Sequence, residues 1–263
     1  MNEIGAFFLG VIQGLTEFLP VSSSGHLELY KAFFTSQAQA EAGLMFTIVL
    51  HGATALSTVV VFRKDIYSLL KELFQFELNS SFYFCLYILI SMIPAAFIGI
   101  FYKEILERLF NQNLLLVGAS LLITGGLLFL ADRAKTSEKS IDITSASVIG
   151  IVQAIAILPG ISRSGITIAT AVLLGIDKEK AARFSFLMVI PLIFGSMGKS
   201  LIDVNFSSTD LAILPLCVGF ITACITGIIA CRWMIAIVKK AKLRYFSIYC
   251  FAVGTAALMS FFL

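Results

Sequence analysis

Six uninterrupted apolar runs, near residues 44–62, 82–102, 114–131, 184–202, 211–231 and 245–263, constrain this chain more than any other feature. About 20 apolar residues in helical conformation cross the hydrocarbon core of a bilayer. Backbone polar groups in lipid must be satisfied within the segment itself, so such runs are read as helices. Composition agrees. Hydrophobic residues make up 59% and charged residues 13%, with mean hydropathy +0.96. Soluble domains sit nearer ~45–50% apolar and ~25% charged. The expected fold is all-α: one polytopic membrane domain.

Two further apolar stretches are broken. Residues 1–35 are interrupted from Pro20 to Gly25, and 146–174 from Pro159 to Gly165. Each half is too short to cross, so each stretch is read as a re-entrant helix pair. Non-helical backbone is tolerated at membrane depth only when it is buried in protein or faces a water-filled cavity. The two stretches also resemble each other. Gly10-Val11-Ile12-Gln13 matches Gly150-Ile151-Val152-Gln153, and Ser22-Ser23-Ser24-Gly25 matches Ser162-Arg163-Ser164-Gly165, both at an offset of 140. Pro20 and Pro159 fall one position out of register. Gly99 and Gly126 echo Gly227 and Gly254 more weakly, at an offset of 128. The pattern reads as an internal repeat, residues 1–131 and 146–263. Each copy holds one re-entrant pair and three spans, giving six transmembrane helices plus two re-entrant pairs. Three spans per copy is odd, so the second copy is expected to be inverted, a transporter-like design whose site lies between the breaks.

Basic residues orient the chain. Segments 63–81, 132–145, 175–183 and 232–244 fall on one side and hold fourteen of the nineteen Lys and Arg; the other side holds Lys31, Lys103, Arg108 and Lys199. The positive-inside rule places the fourteen in the cytoplasm. The first broken pair then opens outward, the second inward, and the termini lie outside. A net charge of +3, spread over short loops, is read as a topology signal and not as a nucleic-acid surface. The five cysteines all lie in apolar runs without CxxC or Cys/His spacing, so they are read as packing residues. The N-terminus lacks a basic n-region and a small-residue cleavage site, and is expected to stay in the mature protein.

Arg163, the remaining basic residue, lies inside a broken stretch. A guanidinium at depth is costly unless paired, and it binds phosphate oxygens bidentately where lysine cannot. If the two tips meet, it faces Glu17, Ser23 and His26. Gln13 and Glu17 are four apart and share a helix face. The Ser-Ser-Ser-Gly turn, with Ser22, Ser24 and Gly25, offers hydroxyls and amides at a helix N-terminus, a natural anion site. Ser162, Ser164 and Gly165 repeat that arrangement around Arg163. An acid, an imidazole and a serine add the means to cleave what the site binds: Glu17 as base or metal ligand, and Ser23 or His26 as nucleophile. Plainer alternatives exist. The serines could only cap a helix while Glu17 and His26 satisfy each other, and Arg163–Glu17 could be an ion pair that joins the halves. His51, within IVLHGAT, is read as a helix-packing histidine bonded to a neighbour. Gln153 mirrors Gln13 and is placed on the same cavity.

QGLTEFLPVSSSGHL (13–27) and PGISRSG (159–165) resemble the signature motifs of the bacterial undecaprenyl-diphosphate phosphatases, the bacitracin-resistance family. Length, spacing and repeat pattern are similar across essentially the whole chain. The resemblance implies hydrolysis of undecaprenyl diphosphate to the monophosphate and inorganic phosphate. That recycles the lipid carrier for peptidoglycan, serving cell-wall biogenesis and cell shape, and confers antibiotic resistance because bacitracin sequesters the diphosphate. It places Ser23, His26 and Arg163 on the motif serine, histidine and arginine, and reads (E/Q)xxxE as Gln13 and Glu17. It also implies a divalent cation, Mg²⁺ or Ca²⁺, with Glu17 as the carboxylate ligand. The expected partners are a polyprenyl diphosphate and the bilayer, with no nucleic acid; a homodimer is one assembly allowed. The expected location is the bacterial inner membrane, multi-pass, with the site facing outward. The competing class is a carrier or flippase for a lipid phosphate or small anion.

Overall fold

The apolar runs are helices in the computed structural model, which describes residues 2–34, 43–75, 77–102, 113–135, 138–203, 213–239 and 242–262. In chain order the helices are α1 (Glu3–Phe18), α2 (Ser23–Phe34), α3 (Gly43–Val61), α4 (Arg63–Leu73), α5 (Ser80–Phe101), α6 (Leu114–Arg133), α7 (Ile143–Ile155), α8 (Arg163–Leu173), α9 (Lys178–Asp203), α10 (Ile213–Lys239) and α11 (Arg244–Phe262). Their starts follow local chemistry. The side chains of Asn2, Asn79, Asn113 and Asp142 each accept a backbone N–H of the first turn of α1, α5, α6 and α7. Such side-chain oxygens satisfy donors that a helix leaves unpaired.

Both expected breaks are present. Leu19 leaves α1 in extended conformation (φ −71°, ψ 142°), as the clash with the ring of a following proline requires. The helices on either side of the breaks are short. α7 has 13 residues and α8 has 11, or ~20 and ~17 Å at 1.5 Å per residue, against a core of ~30 Å. By length and composition α5, α6, α9 and α10 can cross a membrane, and α3 makes a fifth if it is joined to α4 across a 75° bend. The bend separates an apolar helix from one that opens with Arg63, Lys64 and Asp65, so α4 is not a continuation of the span. The sixth expected run is α11, 19 residues long. Apolar side chains cover the outward faces, among them Ile93, Phe97 and Ile100 on α5 and Ile221, Ile225 and Ile229 on α10, all more than half exposed. The chain is a multi-pass membrane protein.

The short helices are held by long ones. α1 packs along α10 and α7 along α5; α3 lies between α9 and α10, α6 runs with α11, and α8 is surrounded by α6, α7 and α9. Three of these crossings, α1 on α10, α7 on α5 and α6 on α11, are close enough to require glycine. A Cβ on Gly10 would sit 2.7 Å from the Gly219 carbonyl oxygen, and one on Gly150 would sit 2.7 Å from the Ser91 carbonyl oxygen. A core built around Phe18, Phe184, Phe186 and Met188 closes beneath the broken tips.

Candidate active site

The same capping device builds both tips. Ser22 is the one non-glycine residue with positive φ among those described (70°). Its Oγ accepts the Gly25 amide at 3.1 Å. At the other tip Ser162 Oγ accepts the Gly165 amide, also at 3.1 Å. The tips touch through these glycines. A Cβ on Gly25 would lie 3.0 Å from Gly160 Cα, and one on Gly165 would lie 3.1 Å from Pro20 Cβ. Ser164 Oγ reaches across to the Glu17 and Leu19 carbonyls at 3.4 and 3.5 Å. The expectation that the two turns meet is met by contact between their backbones.

That contact brings together side chains 146 positions apart. Arg163 Nη2 donates to Glu17 Oε1 at 2.6 Å. Ser23 Oγ donates to Glu17 Oε2 at 2.7 Å, and Gln13 Nε2 donates to the same oxygen at 2.9 Å. The Glu17 side chain is 4% exposed. A carboxylate this buried needs both a countercharge and hydrogen bonds to stay ionised, and it has both. Glu17, Ser23 and Arg163 frame a cavity of about 160 Å³, also lined by Ser24, His51, Gln153, Ser162 and Ser164. Its far wall, Ala156, Ile157, Ile161 and Leu192, is apolar.

The sequence expectations fall into groups. Gln13, Glu17, Ser23 and Arg163 converge as expected; Ser24 and Ser164 line the cavity with Glu17, Ser23 and Arg163, and Gln13 joins the site through its bond to Glu17. Ser22 and Gly25 stand apart from the cavity wall, and Ser22 is 2% exposed. Their hydroxyl and amide satisfy one another, as do those of Ser162 and Gly165, so these four frame the turns. His26 also turns away. Its Nδ1 lies 2.7 Å from the Ser22 carbonyl oxygen. A carbonyl only accepts, so Nδ1 carries the hydrogen, and Nε2 pairs with the Tyr249 hydroxyl 2.7 Å away. The Tyr249 ring stacks on it, inclined by 11°. The imidazole that does line the cavity is His51. Its Nδ1 donates to the Thr47 carbonyl at 2.8 Å, while Nε2 lies 4.0 Å from Glu17 Oε2. The helix-packing bond expected of His51 is present, but the ring's other nitrogen faces the acid. An ionisable side chain in an apolar span is itself a signal of a site, and that signal pointed to His51. Tyr249 carried no comparable signal, because one tyrosine among seven near a membrane surface is ordinary.

A cation held by the chain alone does not fit these residues. Among the described residues no group of three or more His, Cys, Asp or Glu side chains could hold a metal ion. Glu17 is the only carboxylate on the cavity, and both of its oxygens already take hydrogen bonds.

Comparison with known proteins identifies the family. Residues 6–256 match the family model described as bacitracin resistance protein BacA. An undecaprenyl-diphosphatase of Christiangramia forsetii is 56% identical over 261 residues, covering 98% of both chains. One from Bacteroides fragilis is 49% identical over 263 residues, again covering 98% of both. One from Carboxydothermus hydrogenoformans is 38% identical over 265 residues, covering 98% of this chain and 97% of the relative. The chain belongs to the BacA bacitracin resistance protein family.

Proposed function

We propose that this chain hydrolyses undecaprenyl diphosphate to undecaprenyl phosphate and inorganic phosphate, with Ser23 as nucleophile, Glu17 as its base and Arg163 as the phosphate clamp. One observation carries the reading: a single buried carboxylate takes the Ser23 hydroxyl on one oxygen and the Arg163 guanidinium on the other, at 2.7 and 2.6 Å. The names of the relatives support the choice of lipid. As Ser23 Oγ attacks the terminal phosphorus, its proton passes to Glu17 Oε2. The bond from that phosphorus to the bridging oxygen breaks, and the lipid monophosphate leaves with the electron pair. The remaining Arg163 N–H groups, with Ser24 and Ser164, are placed to stabilise charge on the phosphoryl oxygens. Gln13 fixes the rotamer of Glu17. His26 acts as a positioning residue: it ties the Ser22 turn, which carries Ser23, to Tyr249 on α11.

The membrane placement belongs to the same proposal. Six spans and two re-entrant pairs in an inner membrane, with the basic loops in the cytoplasm and the site facing outward, fit the asymmetry of Lys and Arg. The division into residues 1–131 and 146–263 is supported by two contacts. Gly10 meets Gly219 as Gly150 meets Ser91. The first members of these pairs are separated by 140 and the second by 128, the two offsets already seen in the sequence. A divalent cation in this site would take most of its ligands from the diphosphate oxygens and water, the usual habit of Mg²⁺ beside one or two carboxylates.

The paired tips favour one competing reading, a lipid-phosphate carrier. The purified protein in lipid nanodiscs, given undecaprenyl diphosphate, is expected to release inorganic phosphate until the lipid is consumed. No release, together with protein-dependent movement of the intact lipid across vesicles, would replace the phosphatase with the carrier.

A further inference from the structure

The mechanism above leaves a phosphoserine, and hydrolysis of that ester needs a held water. We propose that His51 and Glu17 hold it: the water donates a hydrogen to His51 Nε2 and accepts one from Glu17, which then carries the Ser23 proton on Oε2. The proposal rests on the phosphatase reading. Four observations carry it. His51 Nδ1 is committed to the Thr47 carbonyl at 2.8 Å, so in the neutral ring Nε2 is the nitrogen left to accept. That nitrogen is 4.0 Å from Glu17 Oε2, too far for a direct hydrogen bond. A water with ~2.8 Å hydrogen bonds to both would subtend roughly 90° at its oxygen, close to the tetrahedral spacing of a water's hydrogen bonds. The cavity of about 160 Å³ between them has ample room. Finally, Oε2 accepts from both Gln13 and Ser23 in the resting protein. Phosphorylation ends the Ser23 hydrogen bond and leaves its proton on Oε2, free to donate to the water. His26 cannot serve in this way, because both of its nitrogens are engaged by Ser22 and Tyr249.

The second half-reaction then balances. The water oxygen attacks the phosphorus as its proton passes to His51 Nε2. The P–Oγ bond breaks, Ser23 Oγ takes back the proton held by Glu17, and inorganic phosphate forms. His51 then releases its proton to solvent. His51 is thereby a catalytic residue of the hydrolytic step alone, and Ser23 phosphorylation does not require it.

The test uses His51→Ala and His51→Gln in nanodiscs with substrate labelled at the terminal phosphate. Loss of a general base costs about 10²–10⁴-fold. His51→Ala is therefore expected to lower kcat by about 100-fold or more. It should still release one lipid monophosphate per chain rapidly and accumulate label on Ser23. Imidazole in the buffer, small enough for the vacated space, should restore turnover. His51→Gln keeps an acceptor oxygen on a side chain of similar reach, and should retain more activity than His51→Ala with an unchanged melting temperature. Wild-type kcat in His51→Ala overturns the proposal. So does lost activity without trapped label in His51→Gln of wild-type melting temperature. A wild-type protein that releases no phosphate would instead sink the phosphatase reading, which keeps the two failures separate.

Discussion

Glu17→Gln abolishes phosphate release, by at least about 10³-fold, while the protein still inserts and folds. The substitution keeps the shape of the side chain and removes its charge. Position 13 is already an amide, so no carboxylate remains on the cavity to take the Ser23 proton. The bonds it breaks are the ones that matter to the chemistry. Ser23 loses a charged acceptor at 2.7 Å and Arg163 loses its counter-ion at 2.6 Å. Removing a general base alone costs about 10²–10⁴-fold, and misplacing the guanidinium adds to that. Steady-state phosphate release, with a thermal melt in the same detergent, measures both halves of the expectation. Release within tenfold of wild type would remove Glu17 from the role of base.

Arg163→Lys is expected to lower kcat by at least tenfold, or about 1.4 kcal/mol of transition-state stabilisation, with little change in stability. Lysine keeps one positive charge beside Glu17 but loses the planar fork that can serve the carboxylate and a phosphoryl oxygen at once. Arg163→Ala separates the clamp from the counter-ion. Removing the guanidinium leaves a buried carboxylate unpaired, and breaking a buried pair in this way costs about 3–5 kcal/mol of stability. A lysine variant with wild-type turnover and an unstable alanine variant together would mean that Arg163 only joins the halves.

The parts of the fold that were legible from sequence are those set by local chemistry. Pro20 and Pro159 interrupt apolar runs, and the chain breaks at both. Ser22 and Ser162 precede a glycine by three positions, and each caps it. The matched tetrapeptides around Gln13 and Gln153 place two glycines, Gly10 and Gly150, at two of the tight helix crossings. The convergence of Glu17, Ser23 and Arg163 was also readable, because an arginine at membrane depth must find an acid and Glu17 was the acid in the facing break. What was not legible depends on rotation and on distant partners. His26 stands three residues after Ser23, yet its ring is drawn off by Tyr249, 223 positions away. His51 sits in an apolar run whose spacing does not say which way the ring turns; α3 must first pack between α9 and α10 to aim it at Glu17. The bend between α3 and α4 was hidden for a similar reason, because the apolar run ends at Phe62 whether or not the next helix continues its axis.

The central claim is that Ser23, activated by Glu17, takes the phosphoryl group from the lipid. Rapid quenching of the protein with substrate labelled on its terminal phosphate, followed by peptide mapping, tests this most directly. The account predicts label on Ser23 within the first turnover in wild type, and none in Ser23→Ala or Glu17→Gln. Label on His26, or turnover by Ser23→Ala at the wild-type rate, would contradict it.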